Sequence, residues 1–212
     1  MNSLRKIIAL LLLVSLSSCT IHSATIPMVD EYSYYLNPNK DLSAVGRVAI
    51  VELDNNSSYP QISADTTEAL FQALQKKQIF GLTVVHQSDP AWRSLQLDLD
   101  SQCTPEQLIV AGEVLKCSAI LTGTVTEYQP YPHMAIGLHL KLVDLKDGQL
   151  LWALEQIWDG SDKTTESRIR HYFRCQMRSG YAPLREQLVV VSSLKFIKFV
   201  VYEVAETLQP GY

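Results

Sequence analysis

The sequence predicts an α/β fold: a mixed sheet of about five strands with helices packed on it, in the order β-α-β-α-β-β-β-α-α over residues 45–209. Three observations predict it. Short β-branched apolar runs alternate with helical-period segments as far as Tyr128. A long period-2 hairpin follows, from Met134 to Trp158. Two helical patterns then close the chain. Crossover helices early and meander strands late require a sheet that is parallel in one part and antiparallel in another.

Val45 to Leu53 is an apolar run with β-branched residues, as expected of a buried first strand. Asn55 to Pro60 reads as loop. Ser63 is placed to cap a helix whose Leu70, Phe71 and Leu74 share one face, ending near Phe80-Gly81. Leu82 to His86 is the second strand. Thr104-Pro105-Glu106-Gln107 has a capping hydroxyl, a proline at the first helical position and a glutamine three residues on. That is a capping box, and it opens a helix through Leu108, Ala111 and Leu115. Ala119 to Tyr128 is the third strand, with Gly123 marking a close backbone approach.

In the hairpin, Met134, Ile136, Leu138, Leu140 and Leu142 alternate on one strand, and Leu150, Trp152, Leu154 and Trp158 on the other. Lys146-Asp147-Gly148-Gln149 between them supplies the Asp-Gly pair that tight turns prefer. Ser161 or Asp162 starts a polar helix to about Arg178. Leu194 to Leu208 has Ile197, Val200, Val201, Val204 and Leu208 at helical spacing, and Pro210-Gly211 stops it.

The amino terminus carries the clearest functional signal. Arg5 and Lys6 precede the apolar run Ile7 to Val14, and Leu16-Ser17-Ser18-Cys19 resembles a lipobox. The apolar run is shorter than the roughly 20 residues that cross a bilayer. Residues 1–18 are read as a lipoprotein signal, Cys19 as the lipid attachment site and residues 19–44 as a tether; an ordinary signal cleaved near Ala24 is the other reading. One acyl chain, at ~0.8 kcal/mol per buried methylene, holds only marginally, so lasting attachment needs several chains. Thr20 after the cysteine, rather than Asp, resembles the sorting pattern of cargo destined for the outer membrane, facing the periplasm.

The charge balance is −4 for the whole chain and falls to −6 once Arg5 and Lys6 leave with the signal, which argues against nucleic acid as a partner. Three cysteines remain beyond Cys19, namely Cys103, Cys117 and Cys175, so one bridge at most is available within the chain.

Three stretches resemble one family. They are Val45 to Leu53, the segment Ala119-Ile120-Leu121-Thr122-Gly123-Thr124-Val125-Thr126-Glu127-Tyr128, and the hairpin run from Leu142-Val143-Asp144 through Asp147-Gly148 to Trp152. In that order, behind a lipobox, they resemble the envelope lipoprotein superfamily. It includes the curli secretion channel, the Pel polysaccharide lipoprotein and the activator lipoproteins of penicillin-binding proteins, whose domain is similar to the amino-terminal domain of TolB. The resemblance covers roughly residues 45–160. It implies a non-catalytic role in assembling or regulating envelope structures, often through ring-shaped homo-oligomers; the residues after 160 carry no part of it.

The residues themselves call for no catalysis and no cofactor. His133 and His139 share a face but no carboxylate completes a ligand set around them. Cys103 and Cys117 lack Cys-x-x-Cys spacing, and no serine sits in a Gly-x-Ser-x-Gly frame. Asp159 and Asp162 fall where a strand gives way to a helix, where capping is the usual employment of aspartate. Two features stand as candidate interaction surfaces: Arg170, Arg174 and Arg178, which recur every four residues, and Trp92 after Asp89-Pro90 in a loop. The arginines suit a phosphate-bearing headgroup or an acidic partner, or else form a solvated face with Glu166 paired to Arg170. The expected function is an accessory in assembly or secretion of an envelope structure or surface polymer; regulation of a cell-wall synthase by protein–protein contact is the alternative. A membrane pore is not expected, because one face of the long hairpin carries His139, Lys141 and Glu155.

Cys19→Ala should abolish lipid modification. Intact mass would lose the lipid increment, and the protein would move from the membrane to the soluble fraction. An unchanged mass and distribution would refute the lipobox.

Overall fold

The computed structural model describes residues 33–97, 103–176 and 192–208. Its elements in chain order are β1 (Tyr34–Leu36), a 3-10 turn (Leu42–Ala44), β2 (Arg47–Val51), β3 (Asp54–Asn55), α1 (Ile62–Lys77), β4 (Gly81–Val85) and α2 (Pro90–Leu95). They continue with α3 (Pro105–Leu115), β5 (Ala119–Gln129), β6 (Ala135–Asp144), β7 (Leu150–Asp159), α4 (Lys163–Gln176) and α5 (Ser193–Thr207). The strands form one seven-stranded sheet in the order β1-β7-β6-β5-β2-β4, with β3 paired to β5. β2 is parallel to β4 and β5, and the β5-β6-β7-β1 part is antiparallel.

This order fixes which face each helix covers. From β2 the chain crosses through α1 to β4 on one side, then returns past β2 through α2 and α3 to β5 on the other. Crossovers of one hand running in opposite directions must lie on opposite faces. Two cores result. The larger joins Val48, Ile50, Leu121 and the alternate residues of β6 and β7 to α1, α4 and α5. The smaller joins Ala49, Val51, Val85 and Ile120 to Leu108 and Ala111 of α3, with Trp92 of α2 against it. β2 is therefore buried from Val48 to Val51 without alternation. Along β6, by contrast, Ile136, Leu138, Leu140 and Leu142 are buried while His139 is exposed.

Both tryptophans of β7 are fully buried and held from α5: Trp152 Nε1 donates to Thr207 Oγ1 at 3.2 Å and Trp158 Nε1 to Glu203 Oε2 at 2.6 Å. At Gly123 the backbone of β6 comes close. A Cβ there would meet Leu140 Cα at 2.9 Å and press into the His139 carbonyl. The capping box of α3 forms as expected, with Gln107 N donating to Thr104 Oγ1 and Thr104 N to Gln107 Oε1.

Several expectations need correction. The sheet has seven strands rather than about five, because β1 and β3 join it. β1 lies inside the stretch assigned to the tether and pairs with β7, and beyond it Asn37 N and Nδ2 donate to the Leu151 and Leu150 carbonyls. Lys40 Nζ then bridges Asp144 and Asp147 at 3.1 and 2.6 Å, so the ordered part begins well before Val45. Ser63 is not a cap. Gln61 holds that position with no side-chain bond, while the Ser63 hydroxyl is buried and donates to the Leu53 carbonyl.

The β6–β7 connection is wider than a two-residue turn. Gly148 alone takes a positive φ (71°), Gly148 N donates to the Asp144 carbonyl, and Leu145 turns down into the smaller core. Trp92 lies in α2 rather than a loop, half-buried against that same core. The ends expected at Arg178 and Pro210-Gly211, and Cys19 itself, lie outside the described residues.

Gly123→Ala should cost stability near the upper end of the roughly 1–3 kcal/mol typical of overpacking. A chemical-denaturation midpoint unchanged from the wild type would show that β5 and β6 can separate without penalty.

Candidate interaction surfaces

α4 is set by its first turn. Asp162 Oδ2 accepts from Thr165 N at 2.9 Å and caps the helix, while Asp159 Oδ1 accepts from Ser161 N at 2.7 Å and shapes the turn before it. These hydrogen bonds hold both carboxyls below the usual aspartate range: for Asp159 chiefly the Ser161 hydroxyl, for Asp162 chiefly the Thr165 backbone N–H. Both aspartates thus serve as turn and cap, not as an acid–base pair. Ile169 and Phe173 bury the inner face of α4, and Tyr172 packs on Phe199 and Tyr202 of α5 with ring centroids 5.8 and 4.8 Å apart.

The arginines of α4 divide in two. Arg168 turns inward, its Nε 3.4 Å from Glu203 Oε1, beside the Trp158–Glu203 hydrogen bond. Glu203 is only 6% exposed, so this carboxylate is a buried junction between β7, α4 and α5. Arg170 and Arg174 face outward, with Arg170 paired to Glu166 one turn earlier. That exposed i,i+4 pair contributes little to stability. Arg178 lies outside the described residues.

His133 and His139 are both exposed, in the β5–β6 loop and on β6, and among the described residues no three His, Cys, Asp or Glu side chains form a metal-binding group. Cys103 and Cys117 sit at opposite ends of α3. A helix of that length spans roughly 16 Å, far beyond the 3.5–4.5 Å between Cβ atoms of a disulfide. Burial raises the Cys117 thiol above its ordinary value.

Two further surfaces escaped the sequence reading. The outer side of α3 exposes Ile109, Val110 and Val114 between Glu106 and Glu113. The face of β6, β7 and β1 on the same side of the sheet as α3 shows Tyr35, His139, Lys141, Ala153, Glu155 and Ile157, none of which belongs to either described core. The signal for the first was present, since three apolar residues off the buried stripe of an 11-residue helix exceed what its core needs.

No family model matches the chain, and no curated protein matches it. Among solved structures it superposes on the PelC dodecamer of Paraburkholderia phytofirmans with a TM-score of 0.52 and 14% identity, over 85% of this chain and 98% of that one. The chain shares the fold of PelC. Two other solved proteins superpose more loosely. Lipoprotein GNA1162 of Neisseria meningitidis has a TM-score of 0.39 and 19% identity, over 77% of this chain and 99% of that one. The LpoB C-terminal domain of Salmonella enterica has 0.39 and 21%, over 53% and 82%. The Pel lipoprotein is among the relatives that the sequence motifs resemble, so that likeness is met in the fold.

Glu203→Ala should destabilise the protein by about 3–5 kcal/mol, because it removes the buried carboxylate that accepts from Trp158 Nε1 and faces Arg168, and adding Arg168→Met should recover part of the loss. Arg170→Ala should stay within about 0.5 kcal/mol of the wild type. Equal effects from denaturation curves of Glu203→Ala and Arg170→Ala would dissolve the distinction between the buried junction and the outer ridge.

Proposed function

We propose that this chain is a lipid-anchored, non-catalytic accessory protein of the bacterial envelope. It acts by protein–protein contact in the assembly or secretion of an envelope structure or surface polymer. The observation that carries the reading is a fold shared with PelC over nearly all of that protein's length, behind a segment that resembles a lipobox. Cys19 is the attachment point, the outer membrane the location suited to Thr20, and the periplasm the side on which the domain works. As the solved PelC is a dodecamer, the chain is proposed to work as a homo-oligomer, and it needs no cofactor. The outward ridge of Arg170 and Arg174, continued to Arg178 in the sequence, is proposed as a contact for an acidic partner or headgroup.

The position of β1 bears on the alternative. With pairing already established at Tyr34, about 15 residues separate Cys19 from the sheet, and no chain of that length spans more than roughly 50 Å. That is short for a regulator that must reach a synthase across the wall, and it favours a partner close to the membrane.

Deleting the chain should alter the cell-surface polysaccharide and secreted-protein profile while leaving peptidoglycan cross-linking unchanged. Reduced cross-linking with an unchanged surface would overturn the accessory reading in favour of a cell-wall synthase regulator.

A further inference from the structure

The chain enters the domain through a short segment that adds almost nothing to its cores. Tyr34, Tyr35, Pro38 and Asn39 are exposed, and Leu36 alone packs, half-buried, against the larger core. The first side chain sunk into that core is Leu42 of the 3-10 turn, 4% exposed. Apolar burial therefore fixes the chain from Leu42 onward and hardly before it.

What holds residues 34–41 is polar. β1 pairs with β7 over three residues, from Tyr34↔Leu154 to Leu36↔Trp152. Asn37 prolongs the pairing, its N donating to the Leu151 carbonyl at 2.9 Å and its Nδ2 to the Leu150 carbonyl at 3.0 Å. Lys40 Nζ then fastens the segment to the β6–β7 turn, 3.1 Å from Asp144 Oδ2 and 2.6 Å from Asp147 Oδ2. Each of these groups returns to water when the segment lifts, so its net contribution is small. A stretch with few apolar contacts opens well below the global unfolding free energy. The anchor acts in the same sense: the chain from Cys19 joins at the first residue of an edge strand, where tension peels β1 from β7 one residue at a time.

We propose that residues 34–41 form a releasable strap that gives the anchored domain two reaches, with Lys40 and its two aspartates as the catch. Docked, the strap leaves about 15 residues between Cys19 and the sheet, at most roughly 50 Å. Lifted as far as Leu42, it leaves about 23, at most roughly 80 Å. The docked state keeps the domain beside its membrane, and the lifted state extends its contacts deeper into the periplasm. The inference rests on the proposed lipid at Cys19, without which the length of the strap has no consequence.

Trypsin reads the strap on a membrane. Lys40 is the one Lys or Arg between Cys19 and Arg47, so a cut there reports that the strap has lifted. The full chain, expressed with its own amino-terminal segment, is placed in vesicles of phosphatidylethanolamine and phosphatidylglycerol, and the cut is read by mass after quenching and reduction. The wild type should be cut at Lys40 while the domain beyond it stays whole. Tyr35→Cys with Ala153→Cys, at facing positions of β1 and β7, should close a disulfide that slows this cut at least tenfold, and prior reduction should restore it. An equal rate with the disulfide closed would overturn the release of β1.

Hydrogen exchange gives an independent reading. The amides of Tyr35 and Asn37, which face β7, should exchange together and well ahead of Ile50 in β2, and Lys40→Met should speed both roughly three- to tenfold. Amides at Tyr35 and Asn37 that exchange no faster than Ile50 would overturn the strap and leave β1 a fixed part of the domain. A strap that opens in a protein carrying no lipid at Cys19 would overturn the two reaches and leave the opening itself standing.

Discussion

Two indole N–H groups organise the domain. Trp152 and Trp158 stand three pleat repeats apart on β7, both without solvent access, and each donates to a polar side chain of α5, Thr207 and Glu203. A buried indole must find an acceptor, and meeting that requirement twice sets both the position and the rotation of α5 on the sheet. Phe196, Phe199, Val200 and Val204 then complete the larger core. Glu203 also faces Arg168, so the same carboxylate ties down α4. The outward aim of Arg170 and Arg174 follows from that anchor, since a helix held on one side by Arg168, Ile169 and Phe173 has little choice about its other side. The outer surface thus depends on a hydrogen bond made in the interior.

Much of this was legible in the sequence where the determinant is local. The capping box of α3, the alternation along β6 and along β7 from Trp152, the close approach at Gly123 and the burial of both hairpin tryptophans are consequences of residues near one another in the chain. Leu150, expected on the buried face, is exposed because the register shifts at Leu142/Val143 and Leu151 is buried instead. What escaped depends on distant partners. β1 is three residues without a period, and it exists because β7 offers an edge. α2 is six residues, too few for a helical repeat to register. Ser63 has the composition of a cap, but its hydroxyl is taken by the Leu53 carbonyl. The Asp147-Gly148 pair reads as a tight turn, and the burial of Leu145 widens it. Arg168 is indistinguishable in sequence from its neighbours on α4 until Glu203, 35 positions later, draws it inward.

The mixed sheet also leaves one broad, flat surface open among the described residues. At the centre of its parallel half β2 is buried from Val48 to Val51 with helices on both faces, whereas β6 and β7 contribute to a described core on one face only. A domain built this way has a rigid, flat surface of mixed apolar and charged side chains to offer, which suits contact with another folded protein better than enclosure of a small molecule.

Hydroxyl-radical footprinting of the full-length protein expressed with its own amino-terminal segment, in the membrane fraction and again as purified monomer, would report directly on that open face. Tyr35 and Ile157 should be protected in the membrane fraction, where the proposed protein contact is made, and react in the purified monomer, while Tyr131, 82% exposed in the β5–β6 loop, should react equally in both. Equal labelling of Tyr35 and Ile157 in the two states would contradict the account, leaving the β6-β7-β1 face a solvated surface and the function of this domain to be sought elsewhere on it.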